Sequence, residues 1–148
     1  MIAVSFFIPC VPPKTTSQQK GVMVIGGKPR FFTKSKVKHA ADDMMTLLMP
    51  HVLAKPLEGP LKLCVTLTYP WRNSEKKRNV LKGWIPNDKK PDFDNISKSI
   101  CDVMTKLLFW NDDGQVYDGR IIKGWGDRPG IKIEIETEDG EEQSHAQV

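Results

Sequence analysis

Cysteine and histidine are both scarce, three of each in 148 residues. Cys10, Cys64 and Cys101 are odd in number, far apart and never in a C-x-x-C pair, which excludes a disulfide framework and fits a reducing, cytoplasmic setting. His39, His51 and His145 are equally dispersed, so no zinc knuckle or histidine-metal nuclease motif assembles from local spacing, and any bound metal is expected to take oxygen ligands. Internal repeats are also missing, as is any apolar run near the ~18 residues that a transmembrane helix needs, so no membrane partner is expected. The apolar start MIAVSFFIPC has no basic leader and meets Pro9, Pro12 and Pro13 at once. It is expected to be an edge-tolerant first strand rather than a secretory signal.

What remains is the composition of one globular domain, large enough to bury a core without a disulfide or metal staple. Gly and Pro are frequent and scattered, which favours a mixed fold with many turns over a helical bundle. The formal net charge of +4 understates the basic character of the body, because Glu138, Asp139, Glu141 and Glu142 fall in the last twelve residues. Without those four, 14 acidic residues stand against 22 basic ones, a net +8. Residues 1–136 are therefore expected to form the domain and 137–148 an acidic, disordered tail. A basic body suits a polyanionic partner but is weak support for nucleic acid on its own.

Hydrophobic spacing outlines the elements. Residues 2–8 read as a strand, 14–20 as a polar loop, and 22–25 with 30–33 as a hairpin around Gly26-Gly27-Lys28-Pro29. From Ser35 to Leu48 the apolar residues follow helical spacing until Pro50. Leu61 to Tyr69 alternates cleanly and predicts a half-buried strand. Residues 71–90 carry seven basic residues against Glu75 and Asp88, and read as a long, basic, mobile loop. A second helix is expected over 95–108, burying Ile96, Ile100, Val103, Met104, Leu107 and Leu108, with Asp94 as its N-cap. A turn at 111–114 and strands at 116–123 and 130–136, reversed through GWGDRPG, complete the chain. The predicted class is α+β: a single domain with a mixed, mostly antiparallel sheet packed with two main helices.

The chemistry concentrates in KKPDFDNISKSICDVMTKLLFWNDDGQVYDG, residues 89–119, which hold six aspartates. Each acidic pair has an ordinary explanation. Asp92 and Asp94 can end a loop and cap a helix, while Asp112-Asp113-Gly114 can be a turn. The arrangement suggests more. If Asp92-Phe93-Asp94 is extended, both carboxylates leave the same side of the chain, and the turn after the helix could bring Asp113 back towards them. Carboxylates ~4 Å apart at an effective dielectric near 20 repel by roughly 4 kcal/mol per pair. A hard divalent cation removes that cost, and Mg²⁺, or Mn²⁺ in its place, suits carboxylate and water ligands. An EF-hand reading fails on spacing, because Ile96 occupies the third oxygen position. Lys98 lies one helical turn beyond Asp94, able to pair with it or to face a phosphate, and Asn95 can orient a carboxylate or serve as a second cap.

Lys90-Pro91-Asp92-Phe93-Asp94-Asn95-Ile96-Ser97-Lys98, followed by Asp102 and by Trp110-Asn111-Asp112-Asp113-Gly114-Gln115-Val116, resembles the RusA-type Holliday-junction resolvases, whose pattern is K-P-D-x-D-N-x-x-K, then D, then W-x-D-D-x-Q-V. The resemblance implies a homodimeric, Mg²⁺-dependent endonuclease that nicks four-way DNA junctions symmetrically during recombination and repair. It implies Asp92, Asp94 and Asp113 as metal-binding catalytic acids, Lys98 as the catalytic lysine, Asp112 and Asn95 as auxiliary residues, and a bacterial or phage origin. Lys123 resembles a lysine frequent on the following strand.

Branched DNA held near an acidic centre needs cations. Lys14, Lys20, Lys76, Lys77, Arg78, Lys82 and Lys123 are the candidates for phosphate contacts, against the alternative of a solvated basic surface. Phe109-Trp110 can approach the DNA or belong to the core. Two other readings stay open at this level: a metal-dependent nuclease for other branched DNA, and a non-catalytic nucleic-acid-binding protein whose acids only cap and turn.

Overall fold

The computed structural model describes residues 2–14, 20–25, 28–33 and 43–138. Five strands form the main sheet: β1 (Ile2–Pro9), β4 (Leu61–Tyr69), β5 (Trp84–Pro86), β6 (Val116–Gly126) and β7 (Gly130–Thr137), in the order β1-β7-β4-β6-β5. Only β4 and β6 run parallel, and the other neighbours are antiparallel, so the mixed, mostly antiparallel sheet of an α+β domain is what the chain builds. β2 (Lys20–Ile25) and β3 (Lys28–Thr33) form a separate antiparallel hairpin. Lys20 therefore starts a strand instead of ending the polar loop expected at 14–20, of which 15–19 lie outside the described residues.

The alternation in β4 does what period two requires. Leu61, Leu63, Val65, Leu67 and Tyr69 are buried beside Ile131, Ile133 and Ile135 of β7. They share one core with Met44 and Leu48 of helix α1, described over 43–48, and with Ile96, Ile100, Val103 and Met104 of helix α3 (Phe93–Lys106). The start of α1 expected at Ser35 lies outside the described residues. A 3₁₀ turn, Met49–His51, carries Pro50 where the α-helix stops.

The 71–90 segment is not the long mobile loop expected from its charge. It folds into the short helix α2 (Lys77–Val80) and strand β5, which pairs with Gly124–Gly126 of β6. Its anchors are aromatic and polar. Trp71 donates its indole N–H to Asp127 (2.8 Å), Arg72 lies 3.8 Å above the Trp125 ring and pairs with Glu75, and Trp84 donates to Thr68 Oγ1 (3.2 Å). Gly83, at φ +82, provides the left-handed turn from α2 into β5. Arg72 packs on Trp125 and the other basic side chains are exposed while the segment is anchored inward, so charge alone misreads it.

Helix α3 also departs from expectation at both ends. Its N-cap is Asp92, so Phe93 and Asp94 are already helical and the extended Asp92-Phe93-Asp94 prong does not form. At its C-terminus Leu108 N–H bonds Thr105 O and Phe109 N–H bonds Met104 O, a Schellman closure with Leu108 at φ +60. Leu107 is half-buried and Leu108 exposed, so the buried stripe ends at Met104. The closure turns Phe109 and Trp110 fully into the core, the bland one of their two readings. β6 runs three residues further than expected, to Gly126, leaving 127–129 as the reversal. β7 runs to Thr137, one residue into the tail expected at 137–148, of which 139–148 lie outside the described residues.

Candidate active site

The acidic end of α3 is built by a short approach segment. Asn87, almost fully buried, donates its backbone N–H to Lys123 O on β6 (2.9 Å), and its side-chain oxygen accepts from Lys89 N–H (2.7 Å). Pro91 is buried and follows a cis peptide bond. Asp92 then takes an extended backbone and its carbonyl accepts from Ile96 N–H (3.0 Å), opening the helix. Asp88, Lys89, Lys90, Asp92, Phe93 and Lys123 line an open groove of about 400 Å³ at this point.

The candidate acids are exposed and differently engaged. Both Asp92 oxygens take the Lys90 ammonium, at 2.8 and 2.9 Å. Asp94 sits in the first helical turn, where the helix dipole favours its charge, and accepts the neighbouring Asn95 N–H at 2.9 Å. Asp112 is a structural cap. Its side chain accepts from Gly114 N–H (3.2 Å) over the 3₁₀ turn Asp113–Gln115, and Gln115 completes a capping box. Asp113 is exposed, and among the described residues its carboxylate has no hydrogen bond or ion pair. Asp112 and exposed Asp113 thus have distinct settings one residue apart.

The 3₁₀ turn returns to contact α3. Burial first, then the negative charges of Asp113 and Asp102, push the Cys101 thiol up to about 11. Asp94, Lys98 and Cys101 follow at i, i+4 and i+7 on one helix face, so Asp94 and Cys101 lie roughly 10 Å apart along the axis at 1.5 Å per residue. Lys98 stands between them, exposed and, among the described residues, without an ion pair. Asp94 and Lys98 therefore share one face of α3, the helix that the Asp113 turn contacts.

Among the described residues no three Asp, Glu, His or Cys side chains already converge on a point that would hold a metal. The donor chemistry still fits a hard cation. The exposed groups here are carboxylates, and Mg²⁺ typically keeps several waters and takes one or two carboxylates together with substrate phosphate, without a preformed protein cage. Asp92 on Lys90 and Asp94 on Asn95 N–H are exposed contacts that rotate away at small cost.

The cationic candidates divide. Lys76, Lys77, Arg78 and Lys82 are exposed on and beside α2, which leads through β5 and residues 87–91 to the groove, and Lys14 is exposed after β1. Lys20 opens β2. Lys123 is half-buried, and its ammonium donates to Lys89 O (2.5 Å) and Pro91 O (2.7 Å). Three features are not legible in the sequence pattern as a site: the Lys90–Asp92 pair, Phe93 exposed at the groove, and the Gln115 staple. The staple has a visible signal, because Asp112-x-x-Gln115 is a capping-box spacing.

The family profile described as Endodeoxyribonuclease RusA matches residues 10–136. A crossover junction endodeoxyribonuclease from Lactococcus phage r1t is 33% identical over 123 residues, covering 82% of this chain and 88% of its own. The YqaN protein of Bacillus subtilis (strain 168) is 26% identical over 114 residues, 74% of this chain and 80% of its own. The Escherichia coli (strain K12) crossover junction endodeoxyribonuclease RusA shares 44% identity over 39 residues, 26% of this chain and 32% of its own.

Proposed function

Since the chain belongs to the RusA family of endodeoxyribonucleases, we propose that it resolves four-way DNA junctions by paired, Mg²⁺-dependent nicks in recombination and repair. The observation that carries this reading is that Asp94 and Lys98 stand exposed on one face of α3 while the turn that bears exposed Asp113 contacts the same helix. Residues 1–136 form the endonuclease domain in this reading, with a bacterial or phage origin and a cytoplasmic setting.

Asp92, Asp94 and Asp113 would hold Mg²⁺, or Mn²⁺ in its place. Bound there, the ion supplies a water of lowered pKa and charge stabilisation on the scissile phosphate. Lys98 contributes its own positive charge to the phosphate as negative charge develops. Asn95 steadies the first turn, and Asp112 holds the turn that presents Asp113. In-line displacement at phosphorus then leaves 5′-phosphate and 3′-hydroxyl ends. A four-way junction has approximate two-fold symmetry, so two paired nicks call for a C2 dimer that presents two identical sites.

The test compares the wild-type protein with Asp94→Asn on a four-way junction and a matched linear duplex, in Mg²⁺ and in EDTA. Asparagine keeps the oxygen that accepts Asn95 N–H, so the fold should persist. The expected result is paired nicks confined to the junction in Mg²⁺, reduced at least about 100-fold in Asp94→Asn, with junction binding equal or tighter. Unimpaired cleavage by Asp94→Asn would remove Asp94 from the site, and wild-type cutting of both substrates alike would remove junction selectivity.

A further inference from the structure

We propose that Lys123 is a positioning residue for the acidic end of α3 and not a DNA contact, an inference that rests on the endonuclease reading of that site. Lys123 lies on β6, in register with Leu67 of the central strand β4, in the paired interior of the sheet. Its ammonium reaches across to two main-chain carbonyls, Lys89 O at 2.5 Å and Pro91 O at 2.7 Å, which bracket Lys90 immediately before Asp92. Its own carbonyl accepts Asn87 N–H, and Asn87 in turn holds Lys89 N–H. One residue of the sheet thereby ties down the approach segment from both its side chain and its backbone.

An ammonium has three donors, and two of these three are committed to carbonyls here. Hydrogen bonds from a charged donor are shorter and stronger than neutral ones, so this pair is a firm clamp. A lysine serving phosphate would keep its head in solvent on a free stem, as Lys76, Lys77, Arg78 and Lys82 do by exposure. Lys123 is half-buried instead. What the clamp secures is the exit of the chain from Pro91 into Asp92, whose carbonyl opens α3 by accepting Ile96 N–H. Acids that must meet a metal and a phosphate together need their backbone held to within about 0.5 Å, and a bond from the sheet provides that.

Lys123→Met keeps the aliphatic stem and removes all three donors. The expected result in the metal-free protein is amide exchange at Ile96 at least tenfold faster than in the wild type, with Val65 and Ile133 unchanged. Junction binding in EDTA should retain the wild-type dependence of log K on log salt. A phosphate contact would instead lower that slope by about 0.9. Unchanged exchange at Ile96, or a slope reduced by that amount, would overturn the proposal. Should Val65 and Ile133 also exchange faster, the variant has lost its fold and the wild-type lysine ammonium spectrum decides. A slowly exchanging Lys123 signal that stays in place when junction is added supports the clamp, and a signal that shifts on binding overturns it. The exchange and ammonium readouts need neither metal nor cleavage, so a wild-type protein that fails to cut junctions would sink the functional reading separately.

Discussion

Asp112 and Asp113 show how far the setting of a residue, and not its type, decides its role. Asp112 is occupied with Gly114 N–H, while Asp113 projects unbonded, among the described residues, from the same turn. The residue that makes this division is Gln115. Its carbonyl oxygen accepts Asn111 N–H (2.9 Å) and Asp112 N–H (3.1 Å), and its amide donates to Leu57 O (3.0 Å) and Gly59 O (3.1 Å). Two of these four bonds brace the turn itself, and the other two fasten it to the strand-entry segment before β4. At about 1 kcal/mol net per bond, discounted because the site is partly exposed, Gln115→Ala should lower unfolding free energy by about 1–2 kcal/mol in urea titration. It should also lower junction cleavage, since Asp113 loses its placement. Gln115→Glu keeps the acceptor but sets a carboxylate against two carbonyls, so it should be no more stable than the alanine variant. A glutamate variant as stable as wild type would show that the two donor bonds contribute nothing.

Elements with many alternating or helically spaced apolar residues were legible in the sequence, and short or closing ones were not. β4 and β7 announced themselves because one face of each is wholly buried. The helix α3 stripe was legible for the same reason, but its ends are set by main-chain hydrogen bonds that apolar spacing does not encode. Leu108 illustrates the point: an exposed leucine at φ +60 costs of the order of 1–2 kcal/mol, and the closure it makes returns Phe109 and Trp110 to the core. β5 is only three residues long and has no period to detect. Its anchorage depends on the partner strand, where a Cβ added at Gly124 would run into the Trp84 indole ring. Gly124→Ala should therefore displace the indole and lower stability by about 1–3 kcal/mol in urea titration, the range for overpacking. Trp84→Ala should make the Gly124 change nearly neutral in the double variant. Additive losses would mean that the two residues do not oppose each other across β5 and β6.

The whole molecule puts opposite charges to use within a short stretch of chain. Lys76, Lys77, Arg78 and Lys82 precede the acidic groove by about one strand and one approach segment, and all four are exposed. The sequence showed these cations but not their ordering, because a charge run in a loop and one on a helix packed against a sheet have the same composition. Ordering matters physically: cations held by α2, itself closed by Lys76 O accepting Asn79 N–H (2.9 Å), give up less side-chain and backbone freedom when they meet a phosphate. In the proposed reading, their charge would draw DNA towards a centre whose own carboxylates repel it. Replacing Lys77 and Arg78 together by alanine should weaken junction binding. It should also lower the slope of log K against log salt by about 0.9 for each phosphate that is no longer neutralised, hence by up to about 1.8. The same experiment on Lys123→Met should leave the slope alone, so that removing two cations from α2 and one from β6 separates attraction of the polyanion from alignment of the acids proposed to cut it.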